Sequence, residues 1–175
     1  MDSLEADKDS GVGRRDSAII LSLFRHADAR VLLEADADPE HRRRFDFPAN
    51  FKPSLRHSEE VIARWKVERL SRKRFPYAVR NAATGELLGG VELLPLSDDV
   101  ANISYWTYPQ SRRLGIASRA VSLALRLAFS EFGFRAVRAV VDPDNVGSRR
   151  VAIANGFSEI GMHDGRIRYV IYAPQ

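Results

Sequence analysis

The chain contains no cysteine. This excludes a disulfide scaffold, a thiolate metal site and a cysteine nucleophile able to carry an acyl group. Histidine is scarce, and His26, His41, His57 and His163 form no HxxxH or HExxH pair, so the usual frame of metal catalysis is missing. Asp36, Asp38 and Glu40 have the spacing of a calcium loop, but His41 stands where its sharp turn needs glycine. There is no GxSxG elbow of a serine hydrolase. No zinc-finger spacing, RNP-type aromatic motif or basic-region heptad appears, so no direct nucleic-acid contact is expected.

Long apolar runs are absent too. None approaches the roughly 18 residues of a membrane span, and no membrane partner is expected. The first sixteen residues, MDSLEADKDSGVGRRD, lack the apolar stretch of a secretory signal. They are expected to form a flexible tail, 1–16, ahead of a single domain, 17–175, in a cytoplasmic protein.

What is present is an ordinary globular composition, 45% hydrophobic and 29% charged, with a net charge of +4. Ala18 to Phe24 reads as a strand, followed by a short helix that Asp28 is placed to cap. Asp38 to His57, rich in proline and phenylalanine, reads as irregular. Ser58 is expected to cap a second helix, with Val61, Ile62, Trp65 and Leu70 at its apolar positions. Three strands follow, Tyr77 to Asn81, Leu87 to Leu94 and Val100 to Thr107, the first two joined by Thr84-Gly85. A helix from Ile116 ends at Gly133, and Val137 to Val141 is a strand. A further helix is closed by Gly156 with Phe157 behind it, and Asp164-Gly165 turns a final hairpin.

The stretch QSRRLGIASRAV joins a strand to a helix. A helix start leaves N–H groups unpaired where the dipole favours negative charge. Gly115 tolerates an unusual backbone angle, Ala117 keeps bulk away, and Arg112 and Arg113 bring forked donors. This is a candidate anion site, with a diphosphate a better match than a single carboxylate. The P-loop pattern is absent. The dinucleotide fingerprint has only Gly115 of its three glycines, although Asp142 mimics its acidic residue.

RRLGIA fits the (Q/R)xxGx(G/A) pattern of the GNAT N-acetyltransferases, NVGSRRVAIANGF resembles their second signature, and ISYWTYP resembles the strand before the loop in the ribosomal-protein (RimJ/RimL-like) branch. The resemblance runs from about Ala18 to Tyr172. It implies an α/β (α+β) GNAT fold: a mixed, mostly antiparallel sheet of about six to seven strands, flanked by about four helices and splayed to admit acetyl-CoA. It also implies N-acetyl transfer. Arg112, Arg113, Leu114, Gly115, Ile116, Ala117 and Ser118 would cradle the diphosphate, and Trp106, Thr107 and Tyr108 would offer main-chain groups to the pantetheine arm. Asn145 would bond the cofactor near that arm and Arg150 a phosphate of the nucleotide end. Ser148 would steady or protonate the departing thiolate, with Tyr169 and Tyr172 as competitors for that role.

Where branch members carry a glutamate, this chain has Asn102, and Ser104 replaces a glycine. An amide cannot act as a base, which leaves Glu92 on the neighbouring strand as the candidate. Deprotonating an α-amine at neutral pH costs about 1 kcal/mol, against about 5 for lysine. A site without a strong base therefore favours a peptide N-terminus or small amine as acceptor, and without cysteine the acetyl group passes directly in a ternary complex. A non-catalytic acetyl-CoA sensor is the alternative. No metal is implied, and family habit allows a homodimer, although no exposed apolar stripe in the sequence demands one.

Overall fold

The computed structural model describes residues 15–175. Of the segment expected to be a tail, 1–14 lie outside the described residues. Asp16 is tied to the fold: its carboxylate accepts the N–H groups of Ala18 and Ile19 at 2.7 Å and pairs with Arg119 at 3.0 Å.

The elements in chain order are β1 (Ile19–Ser22), α1 (Ala29–Ala37), α2 (Pro39–Arg44), α3 (Leu55–Leu70), β2 (Phe75–Asn81), β3 (Leu87–Pro95), β4 (Val100–Thr107), α4 (Ile116–Arg126), β5 (Ala136–Val141), α5 (Val146–Ala154), β6 (Ser158–His163) and β7 (Arg166–Tyr172). The strands form one seven-stranded sheet in the order β1-β2-β3-β4-β5-β7-β6. Every pairing is antiparallel except β4 with β5. This is the mixed, mostly antiparallel sheet the resemblance implies.

Three local expectations are corrected. Asp28 does not cap α1; it is buried in an ion pair with Arg80 of β2, at 2.6 and 3.1 Å, and accepts the Arg25 N–H at 2.7 Å. Helix α3 starts a turn earlier than expected, with Ser54 as its cap accepting the His57 N–H at 3.2 Å, while Ser58 is buried within the helix. The segment after Asp38 is not wholly irregular. Asp38 accepts the Glu40 N–H at 3.4 Å, Pro39 opens the first turn and three arginines end the last, which together make the short helix α2.

The larger core lies between the sheet and α4. Val121, Leu123 and Leu127 meet Ile19, Tyr77, Val91, Leu93, Ile103 and Val137, all essentially inaccessible. Ala120, Ala124 and Ala128 let the helix approach closely, and each large side chain removed from water contributes roughly 1.5–3 kcal/mol. On the other face α1 and α3 bury Leu32, Val61, Ile62 and Trp65 against Phe24 and Trp106. Helix α5 ends as expected: Phe157 N–H donates to Ala152 O and Gly156 N–H to Ile153 O, with the Phe157 ring buried. Gly89 serves a close approach. A Cβ there would stand 2.2 Å from Trp106 O, so only glycine lets β3 and β4 pack at that spacing.

Candidate functional site

Strands β4 and β5 pair only at Val100↔Ala136, Ala101↔Val137 and Asn102↔Arg138, then part. Tyr108 N–H donates to Leu88 O on β3 at 3.0 Å. Because main-chain groups alternate sides along a strand, Ile103, Tyr105 and Thr107 turn their N–H and C=O toward the gap. Thr107 O already accepts Arg112 Nε there at 3.3 Å. The gap thus has an unpaired strand edge suited to an extended ligand. Of the residues expected to offer main-chain groups, Thr107 turns its own toward the gap, as do Tyr105 and Ile103, while Trp106 and Tyr108 turn theirs toward β3. Tyr108 is buried, and burial raises its hydroxyl above the usual tyrosine range. The Trp106 ring instead forms part of the cleft wall, packed near Phe24, Phe45 and Trp65.

Beyond β4 the chain turns into α4 through two left-handed residues, Arg113 (φ 64°) and Gly115 (φ 75°). A Cβ on Gly115 would meet nothing within 4 Å, so glycine is needed there for its backbone angle and not for space. The first helical bond in α4 is Arg119 N–H to Gly115 O, leaving the N–H groups of Ile116, Ala117 and Ser118 without helical acceptors. They border a cleft of about 870 Å³, also lined by Arg112, Arg113, Gly115 and Arg150. The Leu114 side chain is 67% exposed and is not in this lining. The Arg112 guanidinium is held by the Asp38 carboxylate and Thr107 O, which staples the loop to the start of α2. Burial alone would raise Asp38, but Arg112 and the N–H groups of Glu40 and His41 outweigh it and hold the carboxyl below its ordinary range. Arg113 and Arg150 line the cleft together with Arg44 and Arg112. Its size, the N–H cluster and the free strand edge fit a nucleotide diphosphate with an extended arm.

Ser148 lies in the first turn of α5, where Asn145 Oδ1 accepts its N–H at 3.0 Å. The role of Asn145 in this structure is therefore a helix cap in the cleft wall. Ser148 Oγ is 2.7 Å from the Tyr105 hydroxyl, which also lies 3.1 Å from Ser148 O. Burial raises the Tyr105 pKa, the Ser148 bond opposing and Tyr169 adding to the rise, so the phenol keeps its proton at neutral pH. Sequence reasoning missed Tyr105. Of the two tyrosines it weighed, Tyr169 is buried and donates to Glu159 at 3.3 Å, and Tyr172 is exposed. A second cavity, about 270 Å³, occupies the strand gap between Asn102, Ser104 and Val140. Tyr105 and Ser148 line both spaces, so their hydroxyl pair sits in the shared wall.

Glu92 lines neither space. It accepts Ser104 Oγ at 2.7 Å and Arg74 Nη1 at 3.1 Å, so its carboxylate reaches the gap cavity only through Ser104. Helix α2 borders both spaces. Arg44 bonds Asp142 at 2.9 Å and Asp144 at 2.6 Å, and Arg166 bonds Asp46 and Asp142. His41 is packed against Phe45 and Trp106, and burial lowers its pKa from 6.5 to about 4. Among the described residues no group of three or more His, Asp or Glu is placed to hold a metal ion, and no helix is long and apolar enough to cross a membrane.

The sheet is thus mixed and splayed, with the unpaired N–H groups of the α4 start beside the splay. Residues 18–158 match the acetyltransferase (GNAT) domain, and the chain belongs to that family. It is 32% identical over 108 residues to the uncharacterized N-acetyltransferase YoaA of Bacillus subtilis (strain 168). That alignment covers 61% of this chain and 54% of YoaA, so the chain spans about half the length of the curated relative it matches. Among solved structures, Mycobacterium smegmatis RimJ in complex with CoA-disulfide superposes with a TM-score of 0.78 at 22% identity, covering 90% of this chain and 84% of that one. Spermidine N-acetyltransferase from Vibrio cholerae, in complex with CoA and spermine, gives 0.75 at 18% identity, covering 90% and 96%. These likenesses are of fold.

Proposed function

We propose that this chain transfers an acetyl group from acetyl-CoA directly to a primary amine, a peptide N-terminus or a small-molecule amine, within a ternary complex. The observation that carries this reading is the Tyr105–Ser148 hydroxyl pair, set in the wall common to the cofactor cleft and the strand-gap cavity. The N–H groups of Ile116, Ala117 and Ser118, with Arg113 and Arg150, hold the diphosphate. The free edge of β4 at Thr107 and Tyr105 aligns the pantetheine arm so that its thioester reaches the hydroxyl pair. The amine enters through the gap, and the hydroxyl pair stabilises the thiolate and supplies its proton. With no cysteine in the chain, no thiol competes for the acetyl group. YoaA, named as an N-acetyltransferase, supports the reaction class.

The acceptor follows from charge. The carboxylates at the mouth, Asp46, Asp142 and Asp144, are each paired with an arginine. A polyamine needs unspent negative charge, so a singly charged α-amine fits better. The test is a thiol-reagent assay of CoA release with a panel of peptides, amino acids, amino sugars and polyamines. Turnover with α-amines supports the reading. Tight acetyl-CoA binding without release across the panel would instead indicate a sensor.

A further inference from the structure

The acceptor amine must lose a proton, and Asn102 in the gap cannot take it. Ser104, two residues further along β4, lines the same cavity, and its hydroxyl donates to Glu92 Oε1 at 2.7 Å. Glu92 is the residue directly opposite on β3, behind the cavity wall. A hydroxyl that donates inward to a carboxylate keeps its lone pairs for a donor in the cavity. The charged groups around Glu92 come from the segment before β2 and from α3. Arg74 Nη1 lies 3.1 Å from Glu92 Oε2, Arg74 Nε lies 3.3 Å from Glu68 Oε2, and Arg69 lies over the Phe75 and Tyr77 rings.

Alternation along β4 adds a second constraint. Tyr105 packs with the core beneath α4, so Ser104 and its partner Glu92 face the opposite side of the sheet. A proton acceptor on one face and a proton donor on the other suit an amine and a thioester that meet in the gap from opposite sides.

Resting on the acetyl-transfer reading above, we infer that Ser104 and Glu92 form a two-step proton exit for the acceptor amine. As the amine nitrogen bonds to the acetyl carbon, Ser104 Oγ takes the nitrogen's proton and passes its own to Glu92 Oε1, leaving Glu92 as the carboxylic acid. The carbon–sulfur bond breaks with its electron pair on sulfur, which takes a proton from the Tyr105–Ser148 pair. Water then removes the proton from Glu92 and restores that of Tyr105, so the residues end unchanged. Ser104 is the catalytic residue in this step, and Glu92 acts through it as a positioning residue and proton store.

The test is kcat at saturating acetyl-CoA and α-amine acceptor, from about pH 6 to about pH 10, for Ser104→Ala, Ser104→Thr, Glu92→Gln and the Ser104→Ala/Glu92→Gln double variant. Ser104→Ala and Glu92→Gln should each lose about 100-fold near neutrality, and the loss should shrink as rising pH lets solvent base replace the relay. Ser104→Thr, which keeps the hydroxyl, should retain most activity. The double variant should fall no further than the singles, and the KM for acetyl-CoA should not change. Glu92→Gln disturbs the Arg74 pair, so Ser104→Ala, which leaves that pair intact, decides the matter if the other misfolds. A loss independent of pH, additive losses, or a threonine as defective as alanine would overturn the relay. Full activity in both single variants would overturn the relay and leave acetyl transfer standing. An unaltered chain that binds acetyl-CoA but releases no CoA with any amine would overturn the transfer reading, and the relay with it.

Discussion

Replacing Asp36 by asparagine should make the stability of this protein more strongly pH-dependent than that of the unaltered protein between about pH 6.5 and about pH 4. Asp36 is buried and His41 largely covered at the corner of α1 and α2, with His41 Nε2 3.8 Å from Asp36 Oδ1. Burial lowers His41 from 6.5 to about 4, partly opposed by the charge of Asp38. Burial raises Asp36 from 3.8 to about 6, partly opposed by His57. As pH falls from 6.5 towards 4, the unfolded chain protonates a histidine that the fold keeps neutral, so stability is lost on acidification. As pH rises from 3.8 towards 6, the unfolded chain releases a proton that the fold keeps on Asp36, so stability is lost in the opposite direction. Each displacement is worth about 3 kcal/mol, and over their common range the two nearly cancel. Asp36→Asn leaves the histidine effect alone. Its stability should drop by up to about 3 kcal/mol between about pH 6.5 and about pH 4, or roughly 6–12 °C in Tm. Thermal denaturation followed by circular dichroism across this range measures it. Curves for the two proteins that run parallel with pH would refute the reasoning.

Tyr105→Phe removes the hydroxyl facing Ser148 and should lower kcat by about 100-fold or more, with the KM for acetyl-CoA within a few-fold of the original, measured by CoA release. Arg80→Met strands the Asp28 carboxylate in the interior and should cost about 3–5 kcal/mol in urea denaturation, whereas the double variant Asp28→Leu/Arg80→Met should recover most of that loss. Gly89→Ala places a methyl against the Trp106 carbonyl and the Thr107 Cα, backbone atoms that can yield only if β3 and β4 separate. A loss of about 3 kcal/mol or more in the same assay is expected.

The order of strands and helices was legible because local chemistry determines it. The β-branched run before Asp142, the Gly156-Phe157 stop and the Asp164-Gly165 turn each act within a few residues. Helix α2 carried its own signals, Asp38, Pro39 and Glu40, but they are submerged among prolines and phenylalanines. Asp28 sits where a cap would, yet its partner is 52 residues away in sequence. No local pattern reveals such a pairing. The same limit governs the site. The loop around Gly115 is a contiguous motif and could be read directly, whereas Tyr105 and Ser148 are 43 residues apart and meet only when β4 and α5 flank the gap. The tie of Arg112 to Asp38, 74 residues away, is likewise invisible in sequence.

The central claim is that one cleft, between the start of α4 and the free edge of β4, receives acetyl-CoA. Titration of the isotopically labelled protein with acetyl-CoA, followed by amide NMR, tests it most directly. The account predicts the largest shifts at the N–H groups of Gly115 to Ser118 together with Ile103, Tyr105 and Thr107, and little change at Trp106 and Tyr108, whose main-chain groups face β3. No binding, or shifts centred away from the α4 start and the β4 edge, would contradict it.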